Sequence, residues 1–282
     1  MAKFFKAIGW TFLYLFLYTL INTILGFVCA YFYDPALLTV TNAVEIQQRL
    51  LNALSATAIY ATGISSLFTI GALMFLKPRE KTIGQTYRIR WPGILNMLSV
   101  LGLGLLVYVG INAFVGLVPW PQAWMIKHDQ STGLALGGKL WTTILFAVIL
   151  IPITEELLCR GAIYGALKKG MAMPIAMILQ AMIFGVIHMN IIQGIYAFML
   201  GMVLVLIYER TKSIWAPILM HVLFNGISAA LSTIEAQQLE SFLTQYPFAI
   251  FAVLSACVLF GILGLLGILL LNSKKRAQAS EI

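Results

Sequence analysis

Eight stretches of this chain, roughly 5–32, 53–76, 94–118, 140–167, 174–189, 192–208, 214–231 and 247–271, are almost uninterrupted runs of apolar residues. A backbone placed in hydrocarbon has no water to bond, so a segment of this kind must satisfy its own N–H and C=O groups as a helix. Hydrophobic residues make up 61% of the chain and charged residues 10%, with a mean hydropathy of +0.93. A soluble domain rarely tolerates so little charge. The apolar residues follow neither a period of two nor a heptad, so the expected fold is all-α: a polytopic membrane protein with about eight transmembrane helices. The first run, from Phe4 to Tyr33, is too long for a signal peptide and lacks a small-residue cleavage site.

Basic residues give the expected orientation. With the N-terminus inside, 15 of the 18 lysines and arginines fall in inner segments, leaving Arg49, Lys127 and Lys139 outside. The inner set comprises Lys3 and Lys6; Lys77, Arg79, Lys81, Arg88 and Arg90; Arg160, Lys168 and Lys169; Arg210 and Lys212; and Lys274, Lys275 and Arg276. The positive-inside rule then puts both termini in the cytoplasm. It also accounts for the net charge of +8 by basic loops facing membrane lipids, so no nucleic-acid partner is expected. Trp120, Trp124 and Trp141 read as interfacial anchors around an outer connection, and His128 as a solvated loop histidine there.

No linker or repeat divides the chain, so 1–282 is expected to be one membrane domain. The polar stretch from Lys77 to Pro92 suits a short extended piece near the headgroups. Gly261, Gly264 and Gly267 mark a face for close helix packing, within the monomer by preference and otherwise in a homodimer. Cys29, Cys159 and Cys257 are scattered, with neither a metal pair nor a disulfide framework. A catalytic role for Cys159 is the weaker reading of its motif.

Against this apolar background, polar residues cluster between 140 and 231. Three short patterns stand on successive runs: Glu155-Glu156-x-x-x-Arg160, Phe184-x-x-x-His188 and His221-x-x-x-Asn225. Ionisable groups are costly at membrane depth and usually mark a pathway or a chemical site. The i, i+4 spacing lets Glu156 pair with Arg160 and leaves Glu155 facing about 100° away. If the fourth run continues to Lys168, Glu155 lies about 20 Å above that end, with His188 about 21 Å above Pro174 and His221 about 13 Å above Lys212. The three motifs then share one layer of a ~30 Å core. Pro152, three residues before Glu155, should kink its helix or free a carbonyl, and Pro174 suits a first helical turn.

A carboxylate and a neutral imidazole can hold a water and take its proton, and a second histidine and an amide can donate to an oxyanion. These are the parts of an amide hydrolase. Glu155, His188 and His221 could equally ligate zinc or another divalent metal, although no helical metal-protease motif is present. The metal-free arrangement is favoured, because Asn225 one turn from His221 suits paired donors.

At these residues the sequence resembles the CAAX-type intramembrane proteases, the type II CAAX prenyl endopeptidases and bacterial relatives called CPBP or Abi proteins. The resemblance covers residues 155–225, and no motif position departs from the pattern. It implies an eight-helix fold whose cavity opens to the cytosol. Glu155 and His188 would activate water, His221 and Asn225 would stabilise the oxyanion, and Glu156, Arg160 and Phe184 would support the site. The substrate would be a membrane-associated peptide or protein, in a bacterial plasma membrane by the compactness of the loops. Some bacterial relatives are tied to bacteriocin immunity, so a non-proteolytic scaffold of the same fold is the main alternative. A proton-coupled transporter is the other, though no inverted repeat supports it. Among lesser polar residues, Asn22, Asn112 and Gln180 are expected to bond between helices, and Asn190 and Gln193 to form a turn.

Overall fold

The computed structural model describes residues 1–78, 80–136, 138–234, 241 and 244–280. Arg79, Glu240 and the side chains of Lys274, Lys275 and Arg276 lie outside the described residues. Helices run over Ala2–Tyr33 (α1), Ala43–Phe75 (α2), Ile83–Tyr87 (α3), Ile94–Leu117 (α4), Gln122–Leu136 (α5), Leu140–Gly170 (α6), Met173–Val186 (α7), Ile191–Thr211 (α8), Trp215–Ser232 (α9) and Pro247–Ser280 (α10). No strand occurs among the described residues. Seven of these helices are long and apolar enough to cross a membrane. The chain is an integral, multi-pass, all-α membrane protein. The expected fifth crossing, 174–189, is the shorter apolar helix α7, which stops at Val186 because Met189 turns into the left-handed region (φ 54°).

Local chemistry sets several boundaries. Asn42 caps α2 by accepting from the N–H groups of Val44 and Glu45. Asn190 caps α8 by accepting from Gln193, which is the turn expected there. Pro174 occupies the first turn of α7, where its missing N–H leaves no bond unmade. The segment after Lys77 is not extended. Thr82 and Gln85 form a reciprocal capping box that starts the one-turn helix α3, and Arg88 ends it in a left-handed cap. That Thr-x-x-Gln signal was present in the sequence.

The basic segments gather at one end of the bundle. Arg88, Lys168 and Lys212 all pair with Glu209, and Arg90 donates to the carbonyls of Thr211 and Lys212. Gly170 lies against Lys3 and Phe4 of the N-terminal helix. At the other end, Arg49 pairs with Asp34 and Asn190 donates to Ser131.

Close helix approach holds the rest together. α10 packs on α4 so tightly that a side chain on Gly264 would collide with the backbone of Ser99 and Leu103. This intramolecular seam accounts for the expected glycine face. α7 and α8 meet backbone to backbone at Gly185 and Gly194, which pins the helix carrying His188 against the next one. A buried core of Leu158, Ile163, Tyr164, Phe184, Val205 and Ile214 surrounds the polar layer.

Four side-chain expectations need correction. Asn22 and Asn112 each donate to the carbonyl four residues back on their own helix, at 2.9 and 2.8 Å, a local bond that short amide side chains readily make. Gln180 is fully buried and neither end of its amide has a hydrogen-bond partner among the described residues. His128 is half-buried on α5 rather than solvated in a loop. Its ring stands edge-on to Tyr196 with centroids 5.9 Å apart, and burial lowers its pKa although Asp129 opposes the shift.

Candidate active site

α6 is not a uniform α-helix. Thr143–Leu150 and Leu157–Ile163 have π-helical bonding, flanking the α-helical turn Ile151–Glu156 that carries both glutamates. The Ile151 N–H donates to the Phe146 carbonyl, five residues back. In that register the Ala147 carbonyl would bond to residue 152, which is proline and has no N–H. Asn225 fills the gap: its Nδ2 donates to the Ala147 oxygen at 2.9 Å. Pro152 does free a carbonyl, and a motif residue from α9 binds it.

Glu156 and Arg160 are both fully buried and pair at 2.8 Å between Oε1 and Nη1. Arg160 also donates to the Gly201 carbonyl on α8 at 3.3 Å, and its guanidinium stacks 4.4 Å from the Phe184 ring centroid. The same carboxylate oxygen of Glu156 accepts from His221 Nδ1 at 2.9 Å. One buried carboxylate therefore ties α6 to α9, while the arginine ties α6 to α7 and α8. Breaking such a pair costs about 3–5 kcal/mol, because the remaining charge is left unpaired.

Both imidazoles stand edge-on to the Phe184 ring, at 5.0 Å for His188 and 5.7 Å for His221. His188 Nδ1 lies 2.7 Å from the Phe184 carbonyl. A carbonyl only accepts, so Nδ1 carries the proton and Nε2 of the neutral ring presents its lone pair. His221 is held the same way, with Nδ1 donating to Glu156 and Nε2 turned to Glu155 Oε2 at 3.6 Å. That distance is too long for a hydrogen bond. The Glu155 carboxylate has no hydrogen-bond partner among the described residues, and 8% of the residue remains exposed. It is the least committed carboxylate of the layer.

All seven motif residues are thus drawn into one region: Glu155, Glu156 and Arg160 from α6, Phe184 from α7 and His188 just beyond it, and His221 and Asn225 from α9. Cys159 is fully buried beside them and forms no disulfide among the described residues. Tyr18 on α1 and Tyr196 on α8 come close enough to Glu155 to interact with it electrostatically. Nothing in the sequence separates these two tyrosines from ordinary residues of apolar helices.

Metal ligation finds partial support. Anchored Nδ1 atoms with free Nε2 atoms are how ligand histidines are commonly held. His221 Nε2 and Glu155 Oε2 are also spaced to reach a common ion. Yet no group of three His, Cys, Asp or Glu side chains converges on a metal position among the described residues. His188 would have to move to complete the set.

Comparison with known proteins locates the same region. Residues 137–227 match the family model described as Rce1-like, type II CAAX prenyl endopeptidase Rce1-like. The curated protein "Putative membrane peptidase YdiL" of Bacillus subtilis (strain 168) is 33% identical over 82 residues. That alignment covers 29% of this chain and 34% of the relative, so the match spans about a third of the relative's length. No solved structure matches. The motif-bearing core of the chain is therefore similar to the Rce1-like, type II CAAX prenyl endopeptidase family.

Proposed function

We propose that this protein is an intramembrane endopeptidase that hydrolyses a peptide bond of a membrane-associated peptide or protein. The observation that carries the reading is the free carboxylate of Glu155, facing His221 Nε2 in a layer that also holds His188. A water held between Glu155 and the His188 Nε2 lone pair gives up a proton as its oxygen attacks the scissile carbonyl carbon. Negative charge then gathers on the carbonyl oxygen. His221, carrying a proton on Nε2 in this role, and the second amide hydrogen of Asn225 are the donors for that charge. Collapse of the intermediate breaks the C–N bond, and the leaving amine takes the proton that Glu155 or His188 received.

The other motif residues hold these groups in place. Glu156 fixes the His221 ring through Nδ1, Arg160 balances Glu156, and Phe184 packs against both imidazoles. If a divalent metal were bound, Glu155, His188 and His221 would hold it, and it would supply Lewis-acid polarisation of the bound water.

The site belongs, in this reading, to a bacterial plasma-membrane protein with both termini cytoplasmic and access from the cytoplasmic side. The grouping of basic segments at one end of the bundle supports that orientation. The decisive experiment compares membrane proteomes of cells carrying the wild-type and Glu155→Ala proteins. At least one uncleaved precursor should accumulate in the variant, and its synthetic cleavage-site peptide should be cut by the purified wild-type protein alone. Identical proteomes would favour the non-proteolytic scaffold instead.

A further inference from the structure

The basic end of the bundle contains a groove of about 650 Å³ lined by Thr82, Gln85, Arg88, Ile89, Arg90 and Lys212. We propose that it binds the phosphate of one anionic phospholipid headgroup. The inference stands apart from the peptidase reading and uses none of the motif residues.

Charge comes first. Arg88, Lys168 and Lys212 converge on Glu209 at 2.9, 2.8 and 2.6 Å, and Arg90 lies beside them across the Thr211 and Lys212 carbonyls. Four cations against one carboxylate leave an uncompensated positive field over the groove. Neutralising Glu209 needs one cation, and capping the end of α8 needs one more. The remaining positive charge has no second carboxylate paired with it among the described residues.

Backbone conformation comes second. Arg88 and Lys212 both adopt left-handed geometry, with φ of 54° and 56°, at positions that close α3 and α8. Glycine or asparagine fills such caps at lower cost, yet two long cations stand there. Arg90 is oriented in advance by its bonds to Thr211 and Lys212, so less side-chain freedom is lost when an anion arrives.

Position distinguishes a lipid from free phosphate. Trp91, Ile94 and Leu95 follow the groove directly and are 64%, 60% and 59% exposed. An exposed tryptophan at the foot of an apolar helix marks the headgroup level, where a phosphate in the groove would lay its acyl chains along α4.

The test uses the purified full-length protein in a neutral detergent, titrated with short-chain phosphatidylglycerol and phosphatidylcholine and read by native mass spectrometry. Phosphatidylglycerol should bind at least about tenfold more tightly, given the size of basic-residue contributions at membrane surfaces. That preference should weaken with added salt. The double variant Arg90→Gln, Lys212→Gln should lose it, whereas Lys77→Gln, Lys81→Gln, altered at the same end but outside the groove, should keep it. Equal affinity for the two lipids, or an equal loss in both double variants, would overturn the proposal. Inorganic phosphate competing as well as the lipid would also overturn it, by making the ligand a free anion. If the groove variant fails to fold, the wild-type lipid preference and its salt dependence decide the matter.

Discussion

Asn225 Nδ2 donates to the carbonyl oxygen of Ala147 at 2.9 Å, joining the helix that bears His221 to the helix that bears Glu155. The acceptor is available because its partner in the π-register would be Pro152. One amide hydrogen of Asn225 is therefore structural, and the other, which has no partner among the described residues, is the one proposed to meet a substrate.

This division can be measured. Asn225→Leu should leave the Ala147 carbonyl unpaired and destabilise the fold by about 1–3 kcal/mol. Adding Pro152→Ala supplies the missing N–H and should recover most of that stability. Cleavage should stay low in the double variant, since the second amide hydrogen is still gone. Thermal unfolding and peptide turnover of the four proteins form a double-mutant cycle. Recovery of activity together with stability would make Asn225 a purely structural residue.

Chemistry and support should also separate within the motifs. Glu155→Ala and His188→Ala should abolish cleavage with expression near normal, because neither group holds another side chain in place. A lost general base typically lowers rate by about 10²–10⁴-fold. Arg160→Ala should instead reduce yield and melting temperature, with about 3–5 kcal/mol at stake in exposing Glu156 unpaired. His221→Ala should stop turnover and also loosen the fold moderately, since Glu156 loses a partner. Full turnover by purified Glu155→Ala would remove the proposed base.

Much of the architecture was legible because hydrophobic runs and i, i+4 motifs report one-dimensional properties. The Glu156–Arg160 pair, Phe184 beneath His188 and the common depth of the three motifs follow from helical rise and spacing alone. What the residues could not show was partner choice across helices. The clasp of Glu209 by Arg88, Lys168 and Lys212 joins three segments far apart in sequence, so no local pattern announces it. The π-register of α6 was only hinted at by Pro152. Gln180 looked like interhelical glue and is instead buried without a hydrogen-bond partner among the described residues, an outcome set by the neighbouring surface.

Topology gives a further prediction. Single cysteines placed at Lys81, Lys127, Arg210 and Glu240 should divide into two pairs when labelled with an impermeant reagent. Positions 81 and 210 should react only from the cytoplasmic side, as Lys81 precedes the α3 cap and Arg210 adjoins the Glu209 cluster at the same end. Positions 127 and 240 should react from outside. Labelling of 81 and 210 from opposite sides would contradict both the basic-residue distribution and the packing of these loops.

The last prediction concerns metal. His221 Nδ1 is committed to Glu156, and its Nε2 already faces Glu155 at 3.6 Å. A zinc ion shared by that pair would still need a third protein ligand, and His188 Nδ1 is anchored to the Phe184 carbonyl, with no third ligand converging on the pair among the described residues. Water activation by Glu155 and His188 calls for no third ligand. The purified, active protein is therefore expected to contain no stoichiometric zinc and to keep its turnover after prolonged dialysis against chelator. Elemental analysis and cleavage assays on the same preparation check this. Stoichiometric zinc, with turnover lost on its removal and restored only by a divalent ion, would make Glu155, His188 and His221 ligands and would require His188 to move on binding.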